Sequence, residues 1–280
     1  MTSPAASPAD ASARAPAHER RGAGPRLRAL RDARRLSQME LSLCVGVSQR
    51  HLSWLENGRA RPSRGMLLAL LDALDAPLTE RNDALLAAGY APAFAQRALD
   101  SAEMQPVRAA IGHLLAAHDP APALVLDAAW NVLEVNRGMR RLARLLGLPP
   151  SILDAPLNML EATLLPGGLG EAFVNRDAIR HDVWQRALRE APHVPELARR
   201  VAALQPHAPP APQPEAILHP APLLLARLAS SRGELAFFST FTTFGAPLDV
   251  TVASLRVEHL FPADAATRDA LASTSDDRQD

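Results

Sequence analysis

The feature that most restricts this chain is the spacing of helix starts and stops between Ser37 and Ser63. Ser37-Gln38-Met39-Glu40 has the form of a capping box. In that motif the serine oxygen takes the backbone N–H of the fourth residue, and the glutamate reaches back to the first. Gly46 follows in Val45-Gly46-Val47, a turn that needs a residue tolerant of positive φ. Ser48 then caps a second helix, which ends at Asn57-Gly58, and Pro62-Ser63 opens another. Punctuation this dense permits only short helices joined by tight turns. Leu41, Val45, Val47, Leu52 and Leu55 supply the apolar positions that lock the two central helices together.

The same pattern continues outward. Leu27, Leu30 and Ala33 predict a helix with arginines on its outer face. Leu67, Leu70, Leu71 and Leu74 predict a fourth helix, and Pro77-Leu78-Thr79 opens a fifth that ends at Gly89. Residues 25–90 are therefore expected to be an all-α, five-helix domain, preceded by a disordered tail (1–24) and followed by a connector (91–105). Residues 106–272 change character, and 273–280 read as a second tail. Helices are expected at 107–118, 136–146, 157–165, 176–190, 195–204 and 264–271. Strands are expected at 123–127, 131–135, 223–229, 234–244 and 250–260, where Phe237, Ser239, Phe241 and Thr243 alternate, as do Val250, Val252 and Ser254. The proline-rich stretch 205–222 reads as a loop. The fold class is α+β.

Formal net charge is zero, but its distribution is not uniform. Between Arg20 and Arg64, eleven arginines stand against Asp32, Glu40 and Glu56, while the remainder to the C-terminus is acidic on balance. A basic N-terminal segment on an otherwise acidic chain is the footprint of a polyanionic partner. The outward face of the helix after Ser48 carries Gln49, Arg50 and Ser53, and glutamine and arginine can match adenine and guanine edges in a major groove. Gln38 and Ser48, at helix starts, sit where free N–H groups meet phosphate, and Asn57, Arg59 and Arg61 form a polar, basic loop beyond. Trp54 reads as a packing residue. A single module of this kind covers only about 600–1,000 Å² of DNA, so specific binding calls for a homodimer.

These residues carry a resemblance. The Ser-Gln-x-Glu-Leu start, the Gly-Val-Ser turn and the Trp-Leu-Glu-Asn-Gly end are similar to the xenobiotic-response-element family, the phage-repressor-like helix-turn-helix. It implies double-stranded DNA as partner, with Gln38, Gln49, Arg50 and Ser53 in contact. Cys44, the sole cysteine, stands where relatives carry a polar surface residue. In the second region, Leu126-Asp127-x-x-Trp130-Asn131-Val132-Leu133 with Asn136, and the stretch Phe241–Arg268, resemble the ligand-binding domain of MmyB-like transcription regulators. That resemblance implies a PAS-like sheet flanked by helices around an apolar pocket, and a hydrophobic ligand such as a fatty acid. The loop at 205–222 departs from it. Trp130, Trp184, Phe237 and Phe241 are candidates to line the pocket, against the plainer role of core aromatics. Asn136 either caps the helix after it or bonds the ligand.

Enzyme motifs are missing: there is no H-E-x-x-H, G-x-S-x-G or Walker loop, and Pro166–Gly170 lacks the Lys-Ser/Thr of a phosphate loop. No metal or other cofactor is expected, and the absence of a signal peptide or apolar span points to a cytoplasmic protein. The competing reading is a helix-turn-helix module that docks a protein without ligand control, distinguished by weak salt dependence.

Overall fold

The helix punctuation read from the sequence is realised almost residue for residue in the computed structural model, which describes residues 22–153, 156–210 and 222–272. The expected tail at 273–280 and the central part of the 205–222 loop lie outside the described residues. The chain divides into two units between Ala95 and Gln96.

The first unit holds α1 (Ala23–Ala33), α2 (Gln38–Val45), α3 (Gln49–Glu56), α4 (Arg64–Ala73) and α5 (Leu78–Ala87). The capping box at Ser37 and Glu40 forms in both directions, and Ser48 and Ser63 cap α3 and α4. Gly46 adopts φ 72°, the left-handed turn that sets α3 across α2. Leu27, Leu41, Leu52, Leu67, Leu70 and Leu71 are fully buried and form the core, each contributing about 1.5–3 kcal/mol. Helix α1 begins two residues earlier than expected. Gly24 lies so close to α3 that a Cβ there would meet the Leu55 carbonyl oxygen at 2.3 Å, so the glycine is a packing requirement.

A buried polar knot ties α1, α2 and α3. Arg31 donates to both carboxylate oxygens of Glu56 at 2.6 and 3.0 Å, and Gln38 Nε2 donates to Glu56 at 2.8 Å. The hydrogen bond to Glu56 holds the Arg31 guanidinium above its ordinary pKa, against the opposing effect of burial.

The expected connector is absorbed from both sides. Asn82 accepts from the N–H groups of Ala93 and Phe94 and donates to the Phe94 carbonyl, fixing those residues to the first unit. Arg97 pairs with Asp249 at 3.0 Å, and its carbonyl accepts from Thr251 Oγ1, fixing it to the second.

The second unit is built on an antiparallel sheet: β1 (Ala123–Leu126), β2 (Val132–Val135), β3 (Ala226–Ser230), β4 (Gly233–Thr242) and β5 (Arg256–Pro262). Its order is β2-β1-β5-β4-β3, the PAS-like arrangement. On one face Ala123, Val125 and Val257 pack against Ile111 and Leu115 of α6 (Gln105–His118). Toward the other face lie α7 (Arg137–Leu145), α8 (Met159–Leu164) and α9 (Arg176–Glu190), with α10 (Pro195–Leu204) packed against the tryptophan cluster. One expectation is corrected. Residues 250–260 are not one strand: Val250–Ser254 form a short helix, α11, capped by Asp249, before β5 begins. Alternating Val250, Val252 and Ser254 fit a strand or a single helical turn equally, and the Asp249 cap decides. The last helix, α12, runs Ala265–Ala272.

Candidate functional site

Two surfaces carry the chemistry, one in each unit. In the first, α3 presents an exposed face. Gln49 and Arg50 are exposed and Ser53 is half-buried, free of the Leu52–Leu55 core side. Ser48 Oγ accepts from the His51 N–H, so its hydroxyl closes the first turn of the helix. Asn57 caps the other end, its amide donating to the Ser53 carbonyl at 2.8 Å and to Ser53 Oγ. Arg59 is exposed in the turn that follows.

Two of the expected contact residues are already engaged. Gln38 spends its amide on Glu56. Arg61 donates from Nε and Nη2 to the Ala88 carbonyl and lies over the Tyr90 ring, clamping the end of α5. Their first role is to hold the module's shape. Trp54, expected to pack, is instead 38% exposed, with the Arg50 guanidinium 4.7 Å above its ring. It sits one turn after Arg50, and the i, i+4 spacing was the signal for that pairing. Cys44 is exposed and free.

In the second unit the sheet and α7–α9 enclose an apolar cavity of about 350 Å³. Leu142 and Leu146, Ile179 and Val183, Leu228 and Leu260 supply much of its wall. Trp130 and Phe237 line it and are buried, and Phe241 lines it while remaining 39% exposed. The other two candidates do not. Trp184 packs in a separate cluster with Leu160, Leu197 and Val201. Asn136 is fully committed elsewhere: its Oδ1 accepts from Ala123 and Met139, and its Nδ2 donates to Ala121 and Leu115. It joins β1, α6 and α7, which settles it as a structural cap.

Trp130 is placed by a tight turn. Asp127 Oδ1 accepts from the N–H groups of Ala129 and Asn131, and Trp130 takes φ 68°. A left-handed tryptophan costs about 1 kcal/mol or more, offset here by burial and by the 2.8 Å bond from its indole Nε1 to Glu190. Sequence reasoning missed the charged group beside it. Arg186 lies between Trp130 and Phe241, 4.3 and 4.5 Å from their ring centroids. Arg256 is bidentate to Glu190 at 3.0 and 2.6 Å. Burial pushes the Glu190 carboxyl up, but the bonds from Arg256 and Trp130 outweigh it and hold it below its ordinary range. Burial also raises Glu258, against the pull of Arg186, Ser239 and Arg256, and lowers Arg186. These charges follow from β5 alternation: 256, 258 and 260 share the cavity face.

Among the described residues no cluster of His, Cys, Asp or Glu could hold a metal ion, and no helix is long and apolar enough to cross a membrane. Residues 23–84 match a family model described as a helix-turn-helix domain. Residues 107–273 match the MmyB-like transcription regulator ligand binding domain. No curated protein matches the chain at a significant level. With more than half of its length in that second match and a helix-turn-helix before it, the chain belongs to the MmyB-like family of ligand-regulated, DNA-binding transcription regulators.

Proposed function

We propose that this regulator binds specific DNA sequences as a homodimer, with α3 in the major groove, and that a hydrophobic small molecule of the fatty-acid kind occupies the cavity and controls binding. The observation that carries the DNA reading is the outward presentation of Gln49 and Arg50 on a helix whose opposite side is locked in the core. Ser48, Ser53, Asn57 and Arg59 line the same edge and are assigned to phosphate and neighbouring base contacts. Gln38 and Arg61 support these positions from behind. The apolar lining of the cavity supports the ligand class, since pockets of about 300–1,000 Å³ with few polar groups bind small apolar molecules. A ligand can change DNA affinity only by binding the two conformations unequally.

Selection from a random duplex library with the full-length protein tests the first part. The expected product is a site with two half-sites about 34–36 Å apart, or a multiple of that. Enrichment of no sequence, or of single half-sites bound by monomer, defeats it. Native mass spectrometry with solvent extraction tests the second, and a mass with no extractable apolar molecule and no affinity for added ones counts against it. One observation favours the competing protein-docking reading: Met39 and Leu43 on α2 are 58% and 74% exposed. Steep weakening of DNA binding between low and moderate salt decides for DNA.

A further inference from the structure

The cavity has one polar end, and its charges do not balance internally. Arg256 is spent on Glu190. Arg186 is not: its faces are taken by Trp130 and Phe241, its Nε is buried without a hydrogen-bond partner, and its nearest ion-pair contact is Glu190 at 3.6 Å. Glu258 lines the same end, as do Ser239 and the exposed Asp182. Glu258 is screened from bulk water yet presents surface to the cavity. With rings covering its faces, a guanidinium offers only its N–H edge, the geometry that matches a carboxylate.

Resting on the reading of the cavity as a ligand site, we propose that this end is a proton-linked carboxylic-acid subsite, in which the ligand carboxylate docks on Arg186 and shares one proton with the carboxyl of Glu258. The groups facing that pair are Asp182, Arg186 and Glu190 from α9, Arg256 from β5, Ser239 from β4 and the Trp130 indole from the turn. A single negative charge answers the one unspent guanidinium. A dianionic phosphate would confront Asp182, Glu190 and Glu258 together. An amine would meet Arg186, and an ester would leave Arg186 as it is without ligand. Burial favours the protonated form of Glu258, which supplies the donor that a carboxylate needs on its second side. The proton stays between two carboxyl oxygens, and no bond other than hydrogen bonds forms or breaks.

The test is calorimetric titration of the full-length protein with dodecanoic acid, methyl dodecanoate and dodecanol at pH 6 and pH 8, in two buffers of different ionisation heat. The expected result is at least a tenfold preference for the acid at pH 6, uptake of about one proton on binding where free Glu258 has lost its own, and a preference that shrinks several-fold by pH 8. Arg186→Met should abolish the preference while leaving the affinity for the ester, which also reports that the variant is folded. Glu258→Gln should keep the preference and remove its pH dependence. If the acid and the ester bind wild type equally, the subsite is wrong and the cavity reading stands. If none of the three binds, both fall. Acid preference without proton uptake or pH dependence also overturns the proposal, and that measurement needs no variant.

Discussion

Arg50 and Trp54 show how much of this protein turns on single side chains. Trp54 holds Arg50 from below, so the guanidinium is pre-ordered for a planar, two-pronged contact with guanine. Arg50→Ala should cost about 1–3 kcal/mol on the selected site and relax preference at one base pair, measured by fluorescence anisotropy on matched and permuted duplexes. Equal loss on random DNA would make Arg50 a phosphate contact. At Glu258 the linkage runs the other way from most carboxylates. Its native pKa is raised by burial, so above the ordinary glutamate value of about 4.3 the native state holds a proton that the unfolded chain has lost. Stability from this group is present at acid pH and is lost as pH rises toward the native pKa. Glu258→Gln should therefore flatten the decline in stability between pH 5 and pH 8 in urea melts, and an unchanged slope would show that Glu258 is not the titrating group.

Elements in this chain are decided by local hydrogen bonds where caps exist and by distant partners where they do not. Ser37, Gly46, Ser48 and Ser63 were legible because each acts within four residues of itself. So were the helix at 176–190 and the one at 195–204. The segment at 250–254 was not, because its apolar alternation serves either period and Asp249 is anchored by Arg97, 152 residues away in sequence. Arg186 and Glu258 were invisible for the same reason: α9 and β5 meet only in the fold. Asn136 lies between the two cases. Its capping was readable, but its bonds to β1 and α6 were not. Asn136→Ala should destabilise the second unit by about 2–4 kcal/mol, since it removes a cap and strands buried backbone groups at once. Thermal melting of the full chain checks this. A loss under about 1 kcal/mol would reduce Asn136 to an ordinary helix cap.

At the scale of the whole molecule, the division between Ala95 and Gln96 gives two separate cores. Differential scanning calorimetry should resolve two transitions, and a ligand at about 100 times its Kd should stabilise the second unit by about 2.7 kcal/mol while leaving the intrinsic stability of the first unchanged. A single transition that moves as a whole would show instead that the units unfold together. The three tryptophans then acquire a use. Trp54 is solvent-lit on α3, whereas Trp130 is walled in against a guanidinium and a carboxylate at the cavity's edge. Their emission spectra differ in colour and in quenching, so Trp54→Phe leaves an optical signal dominated by cavity occupancy, while wild type reports both events. The protein thus carries its own paired indicators, and communication between effector and operator can be watched in one cuvette without any added dye.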